Sequence, residues 1–260
     1  MRRRTPLVSC LVGLAVGGTT LAGCGPAESG DAGSGEKGTL TVLAAASLTE
    51  TFTTLAEDFE ADRPGVEVRL AFDSSATLAE QVSQGAPGDV LATADQGTMQ
   101  TVVEEVGTAG AHRTFATNHL QLVVPKSNPA NISRFADLAE PGVDYVVCVN
   151  TAPCGKLAVS LLDAAGITAK PASEEVDVKA VLSKVQLDEA DAGLVYATDA
   201  AASRNKLTAI DIPTSNENLN SYSIAVLNAA DKPVLAQAFV DLVLDARGRR
   251  VLEDAGFGAP

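Results

Sequence analysis

Thr39-Leu40-Thr41-Val42-Leu43-Ala44-Ala45-Ala46-Ser47-Leu48 decides the fold. Thr39 to Ala45 is an apolar run, the pattern of a strand buried on both faces of a parallel sheet. Directly behind it, Leu48, Phe52, Leu55, Ala56 and Phe59 recur at helical spacing. Ser47 stands where an N-cap belongs for that helix. Arg63-Pro64-Gly65 stops it, and Val66, Val68, Leu70 and Phe72 alternate as a second strand. Strand, helix, strand in this order is the βαβ unit of an α/β protein.

The rhythm continues outward. Leu78 and Val82 mark a short helix closed by Gly85 and Pro87, and Asp89 to Ala92 reads as a strand. Leu120 to Val124, Val143 to Val149, Gly193 to Tyr196 and Ile224 to Leu227 are further strands. Leu157 to Ala165, the stretch carrying Val178, Val181, Leu182 and Val185, and the stretch carrying Leu235, Phe239, Leu242 and Val243 are helices. A last short helix ends near Gly256. The expected architecture is parallel-rich sheets with helices on both faces, in two lobes rather than one.

The chain has 260 residues, 46% of them hydrophobic, which is enough for a substantial core and excludes wholesale disorder. Aromatics are 4% and there is no Trp, which argues against a site built on ring stacking. The formal charge is −14. Without residues 1–23, which carry Arg2, Arg3, Arg4 and no acid, 16 basic residues face 33 acidic ones, a net −17. Such a surface repels phosphate backbones, so no nucleic-acid partner is expected.

The N-terminus reads as an address. Arg2-Arg3-Arg4 is a positive n-region, and the mostly apolar stretch from Leu7 to Val16 is too short to span a bilayer comfortably. Leu21-Ala22-Gly23-Cys24 resembles a bacterial lipobox, in which Cys24 becomes lipidated and N-terminal after cleavage of residues 1–23. The alternative is an ordinary secretory signal with an incidental Cys24. Residues 24–38 would then be a Gly- and Ser-rich tether. Among the other cysteines, Cys10 leaves with the signal. Cys148 and Cys154 remain in an oxidising compartment, where they form a disulfide or stay as buried thiols. Their spacing is not CxxC and His112 and His119 are distant, so no zinc site is expected.

Catalytic motifs are missing. There is no GxSxG, no GxxxxGK[ST], no HExxH and no GxGxxG. What recurs instead is a small or hydroxylated residue where a helix begins. Ser47 follows the first strand, Ser75 the second, Cys154-Gly155 opens the helix from Lys156, and Asp177-Val178 opens another. Free N–H groups at helix starts bind anions without Lys or Arg, and ligands of open α/β sheets sit at the carboxyl ends of the strands. Each serine could equally serve as a plain helix cap.

At these residues the sequence resembles the molybdate-binding proteins of ATP-binding-cassette importers. Thr41 to Leu48, Phe72 to Leu78 with Gln81, Gly85 to Val90, Ala94-Asp95-Gln96, Pro153-Cys154-Gly155, Glu175 to Lys179, Gly193 to Ala200 and Ala255-Gly256-Phe257 carry the resemblance in order. It spans about Thr39 to Phe257. It implies a two-lobed periplasmic-binding-protein fold of type II with the ligand between the lobes. Lobe 1 would hold residues 39–118 plus 222–260 and lobe 2 residues 119–221. It also implies residue roles: Ser47 and Ser75 through hydroxyl and main-chain N–H, Cys154 and Val178 through main-chain N–H, and Tyr196 through its phenol.

All are neutral donors, suited to a fully deprotonated tetrahedral dianion. The metal of that anion would be held only through its oxygens, with no metal ligated directly and no cofactor. The implied protein is a monomeric, non-enzymatic, lipid-anchored receptor at the outer face of the cell membrane. It would deliver molybdate or tungstate to a permease and its ATPase. Two departures stand out: Cys154, where the family often has Ala, and Asp73, a carboxylate beside the site that should face solvent or cap main-chain N–H groups. Competing readings are a receptor for sulfate or another oxyanion, a serine hydrolase using Ser47 or Ser75, and a structural lipoprotein.

Overall fold

The computed structural model describes residues 37–260. The signal, Cys24 and the tether up to residue 36 lie outside the described residues. Two five-stranded sheets organise the chain. The first is built from β1 (Gly38–Ala45), β2 (Val66–Asp73), β3 (Val90–Thr93), β4 (Arg113–Asn118) and β10 (Asn220–Val226), in the order β2-β1-β3-β10-β4. The second holds β5 (Leu120–Pro125), β6 (Tyr145–Cys148), β7 (Ser173–Glu175), β8 (Ala192–Tyr196) and β9 (Leu207–Ile210), in the order β7-β6-β8-β5-β9.

Both sheets are mixed. β1 runs parallel to β2 and β3, and β6 parallel to β7 and β8. β10 is antiparallel to β3 and β4, and β5 is antiparallel to β8 and β9. The parallel half of each sheet comes from βαβ units. The antiparallel half comes from strands entering or leaving next to a crossing between sheets. One crossing lies between Asn118 and Leu120 and the other between Ile210 and Asn220. Asn220 pairs with Asn118 in the first sheet. The result is a two-lobed arrangement of mixed sheets flanked by helices.

Helices α1 (Thr49–Asp62), α7 (Pro233–Leu244) and α8 (Ala246–Asp254) pack with one another beside the first sheet. Leu40, Val42 and Ala44 join the large core with Phe52, Phe59 and Phe239. Leu43 joins a second cluster, with Leu78 and Val82 of α2 (Ser75–Ser83) and Met99 and Val102 of α3 (Gln96–Glu105). β1 is therefore covered on both faces, as its apolar run requires. In the second sheet, α4 (Pro153–Ala164) and α5 (Val178–Gln186) pack on β6 and β8, and the short α6 (Ala197–Ala202) packs on β5, β8 and β9.

The buried Asp89 carboxylate ties this frame together. Its oxygens accept the Thr41 N–H of β1 at 2.7 Å and the Lys232 N–H just before α7 at 3.0 Å. The few aromatics are concentrated rather than scattered. Phe59 and Phe52 both meet Phe239 edge-on, with centroids 5.4 and 5.9 Å apart. Phe52 leads to Phe115, Phe115 to Tyr222, and Tyr222 to Tyr196. This chain of rings runs from the α1–α7 core to the junction of the two sheets.

Phe239 meets two of those rings and has no exposed surface. Phe239→Ala is expected to cost about 3–5 kcal/mol of stability, the range for truncating a buried phenylalanine, read from the denaturant midpoint at constant m-value.

Candidate functional site

The carboxyl ends of β1, β2, β6, β7 and β8 lead to one cleft, and each is followed by a helical start. Ser47, Ser75, Cys154, Val178 and Tyr196 all line one cleft there, together with Ala45, Ala46, Asp73, Ser74, Ala94, Pro153 and Asp177. The space amounts to about 220 Å³ with its open side included. The first sheet supplies Ser47 and Ser75. The second supplies Cys154, Val178 and Tyr196.

Neither serine caps a helix. Ser47 lies inside a 3-10 turn, Ala46–Leu48, and the N-cap of α1 is Leu48, with no side-chain capping bond. The expectation that Ser47 caps α1 is thereby corrected. The chain leaves β1 through the tight turn, which moves the helix start past the serine. Its Oγ pairs instead with Tyr222 Oη at 2.9 Å. Ser75 is the first residue of α2, one past the cap position, and its Oγ accepts the Ala94 N–H at 2.9 Å. Capping around the cleft is done by carboxylates: Asp95 accepts the Thr98 N–H at 2.7 Å and Asp177 the Ala180 N–H at 2.9 Å. Asp73 lines the cleft and accepts the Ser74 N–H at 2.7 Å, the main-chain contact expected of it.

The main-chain donors remain unspent. The N–H groups of Ser75, Cys154 and Val178 lie in first helical turns, where no intrahelical acceptor exists. Among the described residues no other acceptor takes them. Cys154 is bridged to Cys148, with the Cα atoms 5.8 Å apart, which fastens the start of α4 to the end of β6. Gly155 tightens the same joint. A Cβ there would lie 1.9 Å from the Val149 carbonyl oxygen, so only glycine lets α4 begin this close to the strand end.

Tyr196 is fully buried, and its Oη accepts the Asn220 Nδ2–H at 2.6 Å. Burial drives its phenol well above the ordinary value, and burial does the same for Tyr222. Both therefore stay protonated and able to donate. The supporting pair Asn220 and Tyr222 was not read from the sequence. β10 enters the site only through its position beside β4, and no local pattern marks it.

A second group missed by sequence reasoning is charged. Asp199 of α6 is buried, and burial pushes its carboxyl up to about 6 despite the Lys179 ammonium beside it. Lys179 Nζ lies 2.8 Å from Asp199 Oδ1, an ionic contact without hydrogen-bond alignment, and donates to both Glu50 oxygens at 2.7 and 2.8 Å. Burial would lower the Lys179 ammonium, but the two carboxylates outweigh it and hold it above its ordinary value. Glu50 belongs to α1, so this bridge joins helices of the two sheets. Lys156 and Asp95, 3.0 Å apart, form another such link. His119 is partly buried, and that burial lowers its imidazole. His112 and His119 are not among the residues lining the cleft.

The raised Asp199 carboxyl fixes a sign. The folded protein holds this proton more tightly than the unfolded chain, so stability falls as pH rises from about 4 through about 6. Asp199→Asn is expected to remove that slope, measured as the denaturation midpoint across pH 4–7. An unchanged slope would assign the titration to another group.

The family described as bacterial extracellular solute-binding protein matches residues 40–258. Molybdate-binding protein ModA of Mycobacterium tuberculosis (strain ATCC 25618 / H37Rv) is 44% identical over 221 residues, 85% of this chain and 85% of its own. Molybdate-binding protein ModA of Escherichia coli (strain K12) is 31% identical over 233 residues, 85% of this chain and 90% of its own. The structure of the Azotobacter vinelandii periplasmic molybdate-binding protein shares the fold, with a TM-score of 0.76 at 20% identity, covering 85% of this chain and 99% of that one. The resemblance read from the ordered blocks of sequence is borne out: the chain belongs to the bacterial extracellular solute-binding proteins.

Proposed function

We propose that this protein is the extracytoplasmic receptor of an ABC importer for molybdate, and that it binds tungstate in the same way. The observation that carries the reading is the direction of the hydroxyls. Ser75 Oγ already accepts from Ala94 and Tyr196 Oη from Asn220, so each has its proton left for the cleft. Ser47 is in the same position when Tyr222, whose phenol burial pushes up, donates to it. The free N–H groups of Ser75, Cys154 and Val178 add donors of the same sense. A cleft that turns hydroxyl and main-chain N–H donors toward its ligand favours an anion with no proton of its own.

Molybdate is favoured over sulfate because relatives at 44% and 31% identity carry the name of molybdate-binding protein. A cage of fixed main-chain donors also discriminates by anion size. The serine hydrolase reading has no base: neither His lines the cleft.

The rest of the proposal follows from that role. Residues 1–23 are the signal, and Cys24 carries the lipid that holds the receptor at the outer face of the membrane. Residues 39–118 with 222–260 form one lobe and 119–221 the other. The lobes close by a hinge at the strand crossings. The receptor acts as a monomer and hands its anion to the permease.

Residues 39–260 should be stabilised by molybdate and tungstate, and not by sulfate, phosphate or chloride at equal ionic strength. At about 100 times its Kd a ligand adds roughly 2.7 kcal/mol, a clear thermal shift. A shift with sulfate alone would reassign the anion, and no shift with any anion would end the receptor reading. Ser47→Ala with Ser75→Ala should weaken molybdate by about 1.5–3 kcal/mol for each lost donor to a charged group, by calorimetric titration. Parental affinity in the double variant would remove both hydroxyls from the site.

A further inference from the structure

We propose that Ser74 is a further hydroxyl ligand of the anion, an inference that rests on the receptor reading above. Ser74 occupies the N-cap position of α2, where a serine ordinarily turns its Oγ back to the second or third N–H of the helix. Here it makes no such bond. The residue is 5% exposed, and its Oγ is buried with no hydrogen-bond partner. A buried hydroxyl left unpaired is costly, and folded proteins seldom tolerate it without a reason.

Ser74 lines the same cleft as the residues discussed above. Its main-chain N–H is committed to Asp73 Oδ1, so the hydroxyl is the one donor it has left. Asp73 also borders the cleft, with that carboxylate oxygen taken up by the same bond. Two other side chains in the described residues are buried without hydrogen-bond partners. Asp199 is compensated by the Lys179 charge, and Ser223 is enclosed within β10 of the first sheet and does not border the cleft. Ser74 alone combines an unspent hydroxyl with a place at the anion. Donation from Ser74 Oγ–H to an anion oxygen satisfies both partners and makes α2 contribute two consecutive hydroxyls.

The role differs physically from that of Ser75. Ser75 Oγ holds the Ala94 N–H, so removing it damages the apo protein as well. Ser74 Oγ holds nothing in the apo protein. Ser74→Ala and Ser74→Gly should therefore each weaken molybdate and tungstate about tenfold, measured by calorimetric titration of residues 39–260 with the sodium salts. Their apo thermal midpoints should equal or exceed that of the parent. Parental affinity in either variant overturns the proposal while leaving the receptor reading intact. An apo midpoint that falls together with affinity in both variants overturns it in favour of a structural role. Failure of the parent itself to bind molybdate overturns the receptor reading, and this proposal with it.

Discussion

The first N–H groups of a helix cannot be paired inside the helix, and everything at this cleft depends on where those groups are left. In most folds each start is closed by its own cap. Here carboxylates do part of that work: Asp95, Asp177 and Asp245 each accept main-chain N–H groups at the head of a helix. Around the cleft the cap is incomplete by construction. Asp177 takes the Ala180 N–H and leaves that of Val178, and Ala152 before α4 has no side chain able to accept. The mixed sheets deliver these half-satisfied starts to one place, because β1, β2, β6, β7 and β8 all end there. The disulfide and Gly155 then fix the α4 start against β6, so its donors need little reorganisation when an acceptor arrives.

This arrangement also answers the charge problem. A chain of net charge −14 would repel a dianion if carboxylates stood unpaired at the site. The nearby ones are engaged instead. Asp73 and Asp177 hold main-chain N–H groups, Asp95 holds both an N–H and the Lys156 ammonium, and Asp199 faces Lys179. The long-range field is screened over about 8–10 Å at physiological salt. What remains at short range is a set of dipoles pointing inward. Lysine would bind any anion at such a site. Oriented N–H and O–H groups add a requirement for geometry and for a ligand without a proton.

How much of this was legible in the sequence follows from the range of each interaction. β1 was readable because an apolar run buried on both faces is a local pattern, and α1 because Phe52, Leu55 and Phe59 repeat on one face. α3, β4, β7, α6 and β9 went unread. Gln96–Glu105 mixes polar and apolar residues, Ala197–Ala202 is too short and alanine-rich for periodicity, and Arg113–Asn118 and Leu207–Ile210 are strands only through their neighbours. The cleft residues were named through family likeness and helix-start chemistry. Ser47 was misread as a cap because nothing local signals the 3-10 turn that carries it. Tyr222, Asn220 and the Lys179–Asp199 pair could not be read at all, since each acts across a long stretch of chain.

The division of donors between the sheets suits the closing motion of the proposed receptor. Ser47 and Ser75 hang from the first sheet, while Cys154, Val178 and Tyr196 hang from the second. Neither set alone would surround a tetrahedral anion, so tight binding in the proposed receptor would draw on both sheets. Several contacts already span the gap: Asn220 to Tyr196, Lys179 to Glu50 and Lys156 to Asp95. The two ion pairs have exposed partners and are worth little singly. They can order the approach without locking it. The Asn220 bond is different, because it both joins the two sheets and sets the direction of the Tyr196 hydroxyl. In the proposed receptor, completing the donor cage and closing the cleft are therefore the same event. An anion that fails to engage donors from both sheets gives the lobes no reason to stay together.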